Sequence, residues 1–158
     1  MNESIKAVEK LHPETALSDV SAFGKETAAR AAEFHRGIPG YEPTPLADLV
    51  RLSAALGIGR LAVKDESKRF GLNAFKALGA SYAVARYLAQ YLGLPESEMT
   101  YENLQKPAYR ERLRNVILVT ATDGNHGRGV AWAAKLFGLF AHVFMPKGGS
   151  PERLANIR

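Results

Sequence analysis

Lys76 is the residue of this chain whose position most directly suggests chemistry. It lies at the start of a helical pattern, within the small and apolar run from Gly71 to Ala80. The unpaired N–H groups of a helix start form the positive end of the helix dipole, which disfavours the ammonium form of an amine placed there. A neutral amine is the nucleophile that condenses with an aldehyde. Lys76 is therefore a candidate for attachment of an aldehyde cofactor.

A second polar loop, Thr122-Asp123-Gly124-Asn125-His126-Gly127, follows a strand-like run further along the chain. Most of the 21 Lys and Arg residues are expected to be solvated surface groups, so one lysine alone is weak evidence. Small residues around Lys76 leave room for a bulky cofactor, and the second loop comes from a separate turn between strand and helix. The two loops together predict a site.

Composition excludes several classes of function. The 158 residues, with 46% hydrophobic and 23% charged side chains, have the balance of a soluble globular protein. The absence of cysteine excludes disulfides, thiolate catalysis and cysteine-bound zinc. The histidines do not show the close helical pairing of a zinc hydrolase, so no metal is predicted. They are His12, His35, His126 and His142.

The net charge of +5 does not by itself identify a partner. The positive residues are dispersed, and their densest group, Arg110, Arg112 and Arg114, has Glu111 among it, which is typical of a solvated helix face. Nucleic-acid binding is therefore the least favoured interpretation. No apolar run is long enough for a membrane span, and the first residues do not resemble a secretion signal. We expect a cytoplasmic protein without a membrane partner.

Residues 1–40 are expected to form an N-terminal arm that packs over a later core. Within it, residues 21–35 have a helical composition. Pro43 and Pro45 then impose extended backbone on the residues before them. From Leu46 onward, apolar residues at helical spacing predict a helix that ends at the glycines after residue 56.

Residues 41–158 are expected to contain alternating strands and helices. We predict strands at 60–66, 116–119 and 141–145, helices at 76–93, 124–135 and from 150, and a polar excursion at 94–114 with one short helix. The continuous apolar run at 116–119 predicts a strand covered on both faces.

This alternation predicts an α/β fold with an open, mainly parallel sheet and flanking helices, whose ligands gather beyond the carboxyl ends of the strands. Lys76 and the loop at Asp123 lie at such ends. Because three strands are fewer than such a sheet usually has, we expect a fold that is incomplete at its C-terminus and belongs to a longer enzyme.

Five blocks of this sequence carry a resemblance to a known family. They are residues 41–46, 63–67, 69–76, 120–129 and 143–148. In their order and spacing the chain resembles the fold type II, or tryptophan-synthase-β-like, pyridoxal-phosphate enzymes, and within them the diaminopropionate ammonia-lyase family. The finer resemblance depends on Asp123, because serine and threonine dehydratases usually have a small or hydroxylated residue before Gly124-Asn125-His126.

The resemblance implies a role for each residue of the two loops. Lys76 would bind pyridoxal 5'-phosphate covalently and carry protons, while Asp123 would act as a base; a helix cap is the alternative role for this aspartate. Asn125 would bind the ring hydroxyl of the cofactor. Thr122 and Gly124 would hold the carboxylate of a small amino-acid substrate.

The function implied by the resemblance is elimination of ammonia from 2,3-diaminopropionate, giving pyruvate and ammonia, in a homodimeric enzyme. The phosphate cradle, the partner of the pyridine nitrogen and a second acidic residue would lie in later segments, so this chain alone is expected to be inactive. Two alternatives stay open. One is a threonine or serine dehydratase of the same fold, and the other is a non-catalytic truncated remnant.

Overall fold

Helices and short strands alternate along the computed structural model, which describes residues 23–122 and 124–157. The helices are α1 (Lys25–Arg36), α2 (Val50–Ala55), α3 (Lys76–Leu92), α4 (Tyr101–Leu104), α5 (Pro107–Leu113), α6 (Asn125–Phe137) and α7 (Pro151–Ala155), and the strands are β1 (Leu46–Asp48), β2 (Ala62–Lys64), β3 (Ile117–Ala121) and β4 (Phe140–Phe144). The first part of the expected arm at 1–40 and the candidate base Asp123 lie outside the described residues.

The strands β3 and β4 form a parallel pair joined by α6. Their register runs from Ile117 opposite Phe140 to Ala121 opposite Phe144. Parallel strands need a crossover connection, and α6 provides it. This β3–α6–β4 unit is the α/β arrangement that the alternating pattern predicted, and its elements begin and end within about two residues of the predicted bounds.

The strand β2 does not join that parallel pair. It pairs antiparallel with β1 in a separate two-stranded sheet, in which Leu46 lies opposite Lys64. The helix predicted from Leu46 is therefore wrong over its first residues, because α2 begins only at Val50. Hydrogen bonds with the distant strand outweigh the local apolar spacing, since the Leu49 N–H donates to the Leu61 carbonyl at 2.8 Å.

A helical core lies between α3 and the segments that pack on it. The buried cluster combines residues of α1, α3, α6 and the excursion at 94–114: Phe34, Ile38, Ala85, Leu88, Ala89, Leu92, Met99, Leu104, Leu113 and Phe137. The helix α3 ends at Leu92 and is capped by Gly93, close to the predicted end. The excursion contains two short helices, α4 and α5, where one was expected, because each places one leucine, Leu104 or Leu113, in this core.

The helix α1 is tied to the beginning of α3 by a histidine. His35 is buried, and its Nε2 donates a hydrogen bond to the Leu78 carbonyl at 2.9 Å. Burial lowers the pKa of His35, which favours the neutral ring. Part of the expected N-terminal arm therefore packs close to the first turn of α3.

One face of the β3–β4 pair is exposed in the described chain. Ile117, Val119, Phe140 and Phe144 are 49%, 64%, 73% and 64% exposed. The prediction that the run at 116–119 is covered on both faces is therefore wrong for the described residues. Alternate residues point to opposite faces of a strand, and α6 contacts both strands, so the covered face is the one toward α6.

Candidate active site

Lys76 and Asn125 occupy equivalent positions at the starts of two packed helices. Lys76 is the first residue of α3 and Asn125 is the first residue of α6, and both residues are exposed. Gly129, one turn into α6, lies against the backbone of Lys76: a Cβ at Gly129 would be 3.0 Å from the Lys76 carbonyl oxygen. Glycine therefore favours this approach, which brings the Lys76 backbone beside the first turn of α6.

Thr122 caps the first turn of α6. Its N–H continues the strand pairing by donating to the Phe144 carbonyl at 2.9 Å. Its hydroxyl oxygen accepts hydrogen bonds from the N–H groups of Gly124 at 3.2 Å and Gly127 at 3.3 Å. The sequence suggested Asp123 as the alternative cap, whereas Thr122 satisfies these two helix-terminal N–H groups.

Gly127 lets the first turn of α6 pack closely against the side chains of Thr122 and Val143. A Cβ at this position would lie 2.2 Å from the Thr122 Cγ2 and 2.8 Å from the Val143 Cγ1. Neither distance is possible for real atoms, so residue 127 must be glycine while both neighbours keep their places. At Gly124 the opposite holds, because an added Cβ would meet nothing within 4 Å. The backbone at Gly124 therefore borders open space.

The segment from Asp65 to Phe75, which precedes α3, has an unusual backbone. Phe70, Gly71 and Asn73 have φ of 49°, 70° and 53°, in the left-handed region. Glycine and asparagine adopt this region readily, but for an aromatic residue it is rare and costs about 1 kcal/mol or more. Such a backbone persists only where the surroundings hold it, and three separate contacts do so here.

The first contact is a largely buried ion pair between Glu66 and Arg69, in the first half of this segment. Arg69 is only 4% exposed, and it binds Glu66 with two nitrogens: Nε donates to Oε2 at 2.7 Å and Nη2 to Oε1 at 3.0 Å. Its remaining hydrogen bonds go to the Glu42 carbonyl at 2.7 Å and to the Thr44 hydroxyl at 2.9 Å. Arg69 therefore joins the segment before α3 to the extended residues before β1.

The Glu66 carboxylate is strongly stabilised in its charged form. Hydrogen bonds from Arg69 are the largest cause, and they lower the pKa of Glu66 to about 2 against partial burial, which acts in the opposite direction. Thr44 and Lys64 also surround this carboxylate, with the Lys64 Nζ at 3.5 Å from Oε1. The cluster is thus charged at any neutral or mildly acidic pH.

The second and third contacts join the same segment to α6. The ring of Phe70 stacks on that of Trp132, with ring centroids 4.6 Å apart. The Nη1 of Arg128 donates to the Leu72 carbonyl at 2.7 Å. Phe70 and Leu72, both in the segment before α3, are therefore bound to α6, the helix that also carries Asn125.

Sequence reasoning missed these contacts. Four of the residues that make them lie inside the blocks that carry the resemblance. Glu66, Arg69, Phe70 and Arg128 were given no role, because charged residues are usually solvated and a lone aromatic is usually a core residue. The spacing of three residues between Glu66 and Arg69 was the one available signal of a pair, since side chains three apart can meet in a turn.

No group of three or more His, Asp or Glu residues suited to a metal ion occurs between 23 and 157, residue 123 aside. No helix in the described part of the chain combines the length and apolarity needed to cross a membrane.

Comparisons with known proteins find one enzyme family. The family model described as "Pyridoxal-phosphate dependent enzyme" matches residues 38–158. The chain is 54% identical, over 125 residues, to the diaminopropionate ammonia-lyase of Salmonella typhimurium, covering 79% of this chain and 31% of that protein. It is 48% identical, over 135 residues, to the diaminopropionate ammonia-lyase of Escherichia coli strain K12, covering 85% of this chain and 33% of that protein.

A solved structure shows the same fold. The crystal structure of the Escherichia coli diaminopropionate ammonia lyase in apo form superposes with a TM-score of 0.78 at 44% identity, covering 87% of this chain and 36% of that one. The predicted α/β fold of type II enzymes is thereby confirmed. The chain spans about a third of the length of the curated relatives it matches.

The described residues fit a pyridoxal-phosphate group. An aldehyde requires an accessible amine, and Lys76 supplies it from an exposed helix start. A ring hydroxyl requires a hydrogen-bonding side chain nearby, and Asn125 stands exposed at the start of the adjoining helix. The substrate that joins the cofactor requires unobstructed backbone for its carboxylate, and Gly124 borders open space. The amine, the amide and the open backbone therefore form a consistent set for this cofactor.

Proposed function

Because the chain belongs to the pyridoxal-phosphate-dependent enzyme family, we propose that the full-length protein is an ammonia-lyase acting on 2,3-diaminopropionate. The reaction would consume water, release both amino groups as ammonia and leave pyruvate. The supporting relatives are two diaminopropionate ammonia-lyases at 54% and 48% identity. The geometric observation that supports the proposal is the packing of Gly129 on the backbone of Lys76, which brings the starts of α3 and α6 together.

Lys76 is proposed to hold the cofactor and to carry protons. Bound pyridoxal phosphate supplies an electron sink for the pair left when the substrate loses its α-proton. The amine of Lys76 would give way to the α-amino group of the substrate and then exchange protons with the reacting carbon. Asn125 would donate from its amide to the oxygen of the cofactor ring hydroxyl.

The loop before α6 is proposed to hold the substrate carboxylate. The Thr122 oxygen accepts two backbone N–H groups, and its own O–H hydrogen can donate to a carboxylate. Gly124 lets the carboxylate approach the backbone, since no side chain fills the adjoining space. Asp123, between them in sequence, is proposed as a base that removes the α-proton.

The proposal is tested by assaying the full-length protein with 2,3-diaminopropionate, serine and threonine in parallel. We expect kcat/KM for 2,3-diaminopropionate to exceed that for either hydroxy amino acid by about tenfold or more, the factor that about 1.4 kcal/mol of transition-state binding provides. Lys76→Ala should abolish turnover. Lys68→Ala, which changes an exposed lysine of the same segment, is the matched control and should leave turnover unchanged.

Two outcomes would favour the alternatives. Preference for serine or threonine would identify a dehydratase that uses the same Lys76 and Asn125. If borohydride treatment of the protein with pyridoxal phosphate leaves no added mass on the peptide containing Lys76, a non-catalytic remnant is favoured instead. The homodimer and the cytoplasmic location stay predictions, the first of which sedimentation of the full-length protein would check.

A further inference from the structure

Arg128 connects the two loops of the candidate site. It lies on α6 three residues after Asn125, so both side chains are on one side of the helix. They line a common small cavity of about 40 Å³ together with Gly124 and the end of α7. Arg128 is thus next to the site without being one of the residues assigned to bind cofactor or substrate.

The bond made by Arg128 reaches the segment that leads into Lys76. Its Nη1 donates to the Leu72 carbonyl at 2.7 Å, across 56 positions of sequence. Leu72 lies between Gly71 and Asn73, whose φ are 70° and 53°. The left-handed residues on both sides orient the Leu72 peptide, and the charged donor holds it in that orientation.

The rest of the Arg128 side chain supports a fixed position. Its Nε is buried and has no hydrogen-bond partner within residues 23–122 and 124–157. A buried N–H without an acceptor raises the free energy of this conformation. Another interaction must therefore hold the side chain in place, and the bond from Nη1 to the Leu72 carbonyl is such an interaction. Among the described residues, the Leu72 carbonyl is the acceptor found for the Arg128 side chain.

We propose that Arg128 is a positioning residue that fixes Lys76 against the start of α6 by clamping the Leu72 carbonyl. This inference rests on the proposed function, since it gives Lys76 the role of attaching the cofactor. Gly129 allows the two helix starts to touch, and Arg128 keeps the segment before α3 from moving away. Without the clamp, the amine would sample a wider range of positions relative to Asn125.

The test compares Arg128→Met with Arg86→Met in the full-length protein. Arg86 is an exposed arginine of α3, so its replacement controls for loss of a charged side chain. Each protein, freed of cofactor, is mixed with pyridoxal phosphate, and borohydride then traps the bond formed when the Lys76 amine condenses with the aldehyde and releases water. We expect Arg128→Met to slow attachment about tenfold or more, the factor given by loss of one charge-assisted hydrogen bond.

Two further measurements separate positioning from general loss of structure. Arg128→Lys can still donate one bond to the Leu72 carbonyl, so it should restore most of the attachment rate and of the visible circular dichroism of the bound cofactor, which reports a fixed orientation. In cofactor-free protein, amide exchange at residues 71–78 should rise in Arg128→Met and stay unchanged in Arg86→Met. If Arg128→Met does not fold, Arg128→Gln, whose shorter side chain ends before the guanidinium position, replaces it in each comparison, with Arg86→Gln as the control.

The proposal is overturned if Arg128→Met attaches the cofactor within about twofold of wild type, a difference smaller than one hydrogen bond produces. It is also overturned if Arg128→Lys, once folded, is as slow as Arg128→Met. Attachment is measured without any amino acid, so wild-type protein that binds cofactor but rejects 2,3-diaminopropionate would refute the proposed substrate alone. Wild-type protein that never attaches cofactor to Lys76 would refute both proposals.

Discussion

The segments that lead into α3 and α6 position the two halves of the candidate site in different ways. The segment before α3, residues 65–75, is long and has left-handed residues, and it is held by side chains that reach other parts of the chain: Arg69 to Glu66 and the residues before β1, Phe70 to Trp132, and Leu72 to Arg128. The loop before α6 is short. Among its described residues, the Thr122 hydroxyl and close packing at Gly127 hold it.

This difference indicates what each segment is sensitive to. The segment before α3 depends on a buried ion pair and on aromatic contacts, so its order should respond to charge changes and acid. The loop before α6 depends on space and backbone hydrogen bonds, so it should respond to added methyl groups. Substitutions that remove either the ion pair before α3 or the packing and hydrogen bonds before α6 can show whether the two segments are held independently.

Replacing Arg69 with methionine should have the largest effect. The change removes the two hydrogen bonds that Arg69 donates to the largely buried Glu66 carboxylate and leaves it only Thr44 and the exposed Lys64, and breaking a buried pair costs about 3–5 kcal/mol in free energy of unfolding. Urea unfolding of the cofactor-free protein measures this loss. The matched control is Arg60→Met, which breaks the exposed pair of Arg60 with Asp48 and should cost about 1 kcal/mol or less. Equal losses in the two variants would contradict the assignment.

Gly127→Ala should be the next most damaging change. The new methyl group would overlap the Thr122 Cγ2, so the loop before α6 must shift, at a cost of about 3 kcal/mol. Gly79→Ala is the control: it adds the same atom to α3 where nothing lies within 4 Å, and alanine there should be neutral or stabilising. The double variant Thr122→Ser/Gly127→Ala removes the overlapping Cγ2 and should recover part of the loss.

The elements that carry these loops could be predicted because their signals are local. The apolar residues of α3 repeat at helical spacing, and this spacing alone predicts a helix from Lys76 to the cap at Gly93. These residues are Leu78, Tyr82, Ala85, Leu88 and Leu92. Ser150 was likewise a recognisable cap, and its hydroxyl accepts the Arg153 N–H at 3.2 Å. The family resemblance, which the family model over residues 38–158 confirms, could be recognised because each of its five blocks is a continuous run of residues.

What could not be predicted depends on contacts between distant residues. The strand β1 exists because it pairs with β2, and no periodicity in residues 46–48 indicates a partner. Burial of Arg69 depends on Glu42 and Thr44 meeting it from another segment. The exposure of Ile117 and Val119 was missed because an apolar run specifies how much surface favours burial, not what covers it.

Acid should weaken the segment before α3 in a defined pH range. The folded-state pKa of Glu66 is about 2, below the ordinary 4.5, so its carboxylate stabilises the fold above pH 4.5 and this contribution is lost as the pH falls toward 2. The difference in unfolding free energy between wild type and Glu66→Gln should be about 2–3 kcal/mol at neutral pH and should vanish near the lower limit. A difference that stays constant from pH 7 to pH 3 would show that the carboxylate charge is not what holds the segment.

Thr122→Val should produce the smallest effect and the most specific one. Valine keeps the shape of threonine but leaves the N–H groups of Gly124 and Gly127 without their acceptor, which should cost about 1–2 kcal/mol. Amide exchange at these two glycines should accelerate while exchange at residues 71–73 is unchanged, because those residues are held from other directions. Thr122→Ser keeps the hydroxyl and is the control. If both segments loosen together, the loop before α6 and the segment before α3 form one unit, and the contrast between them does not hold.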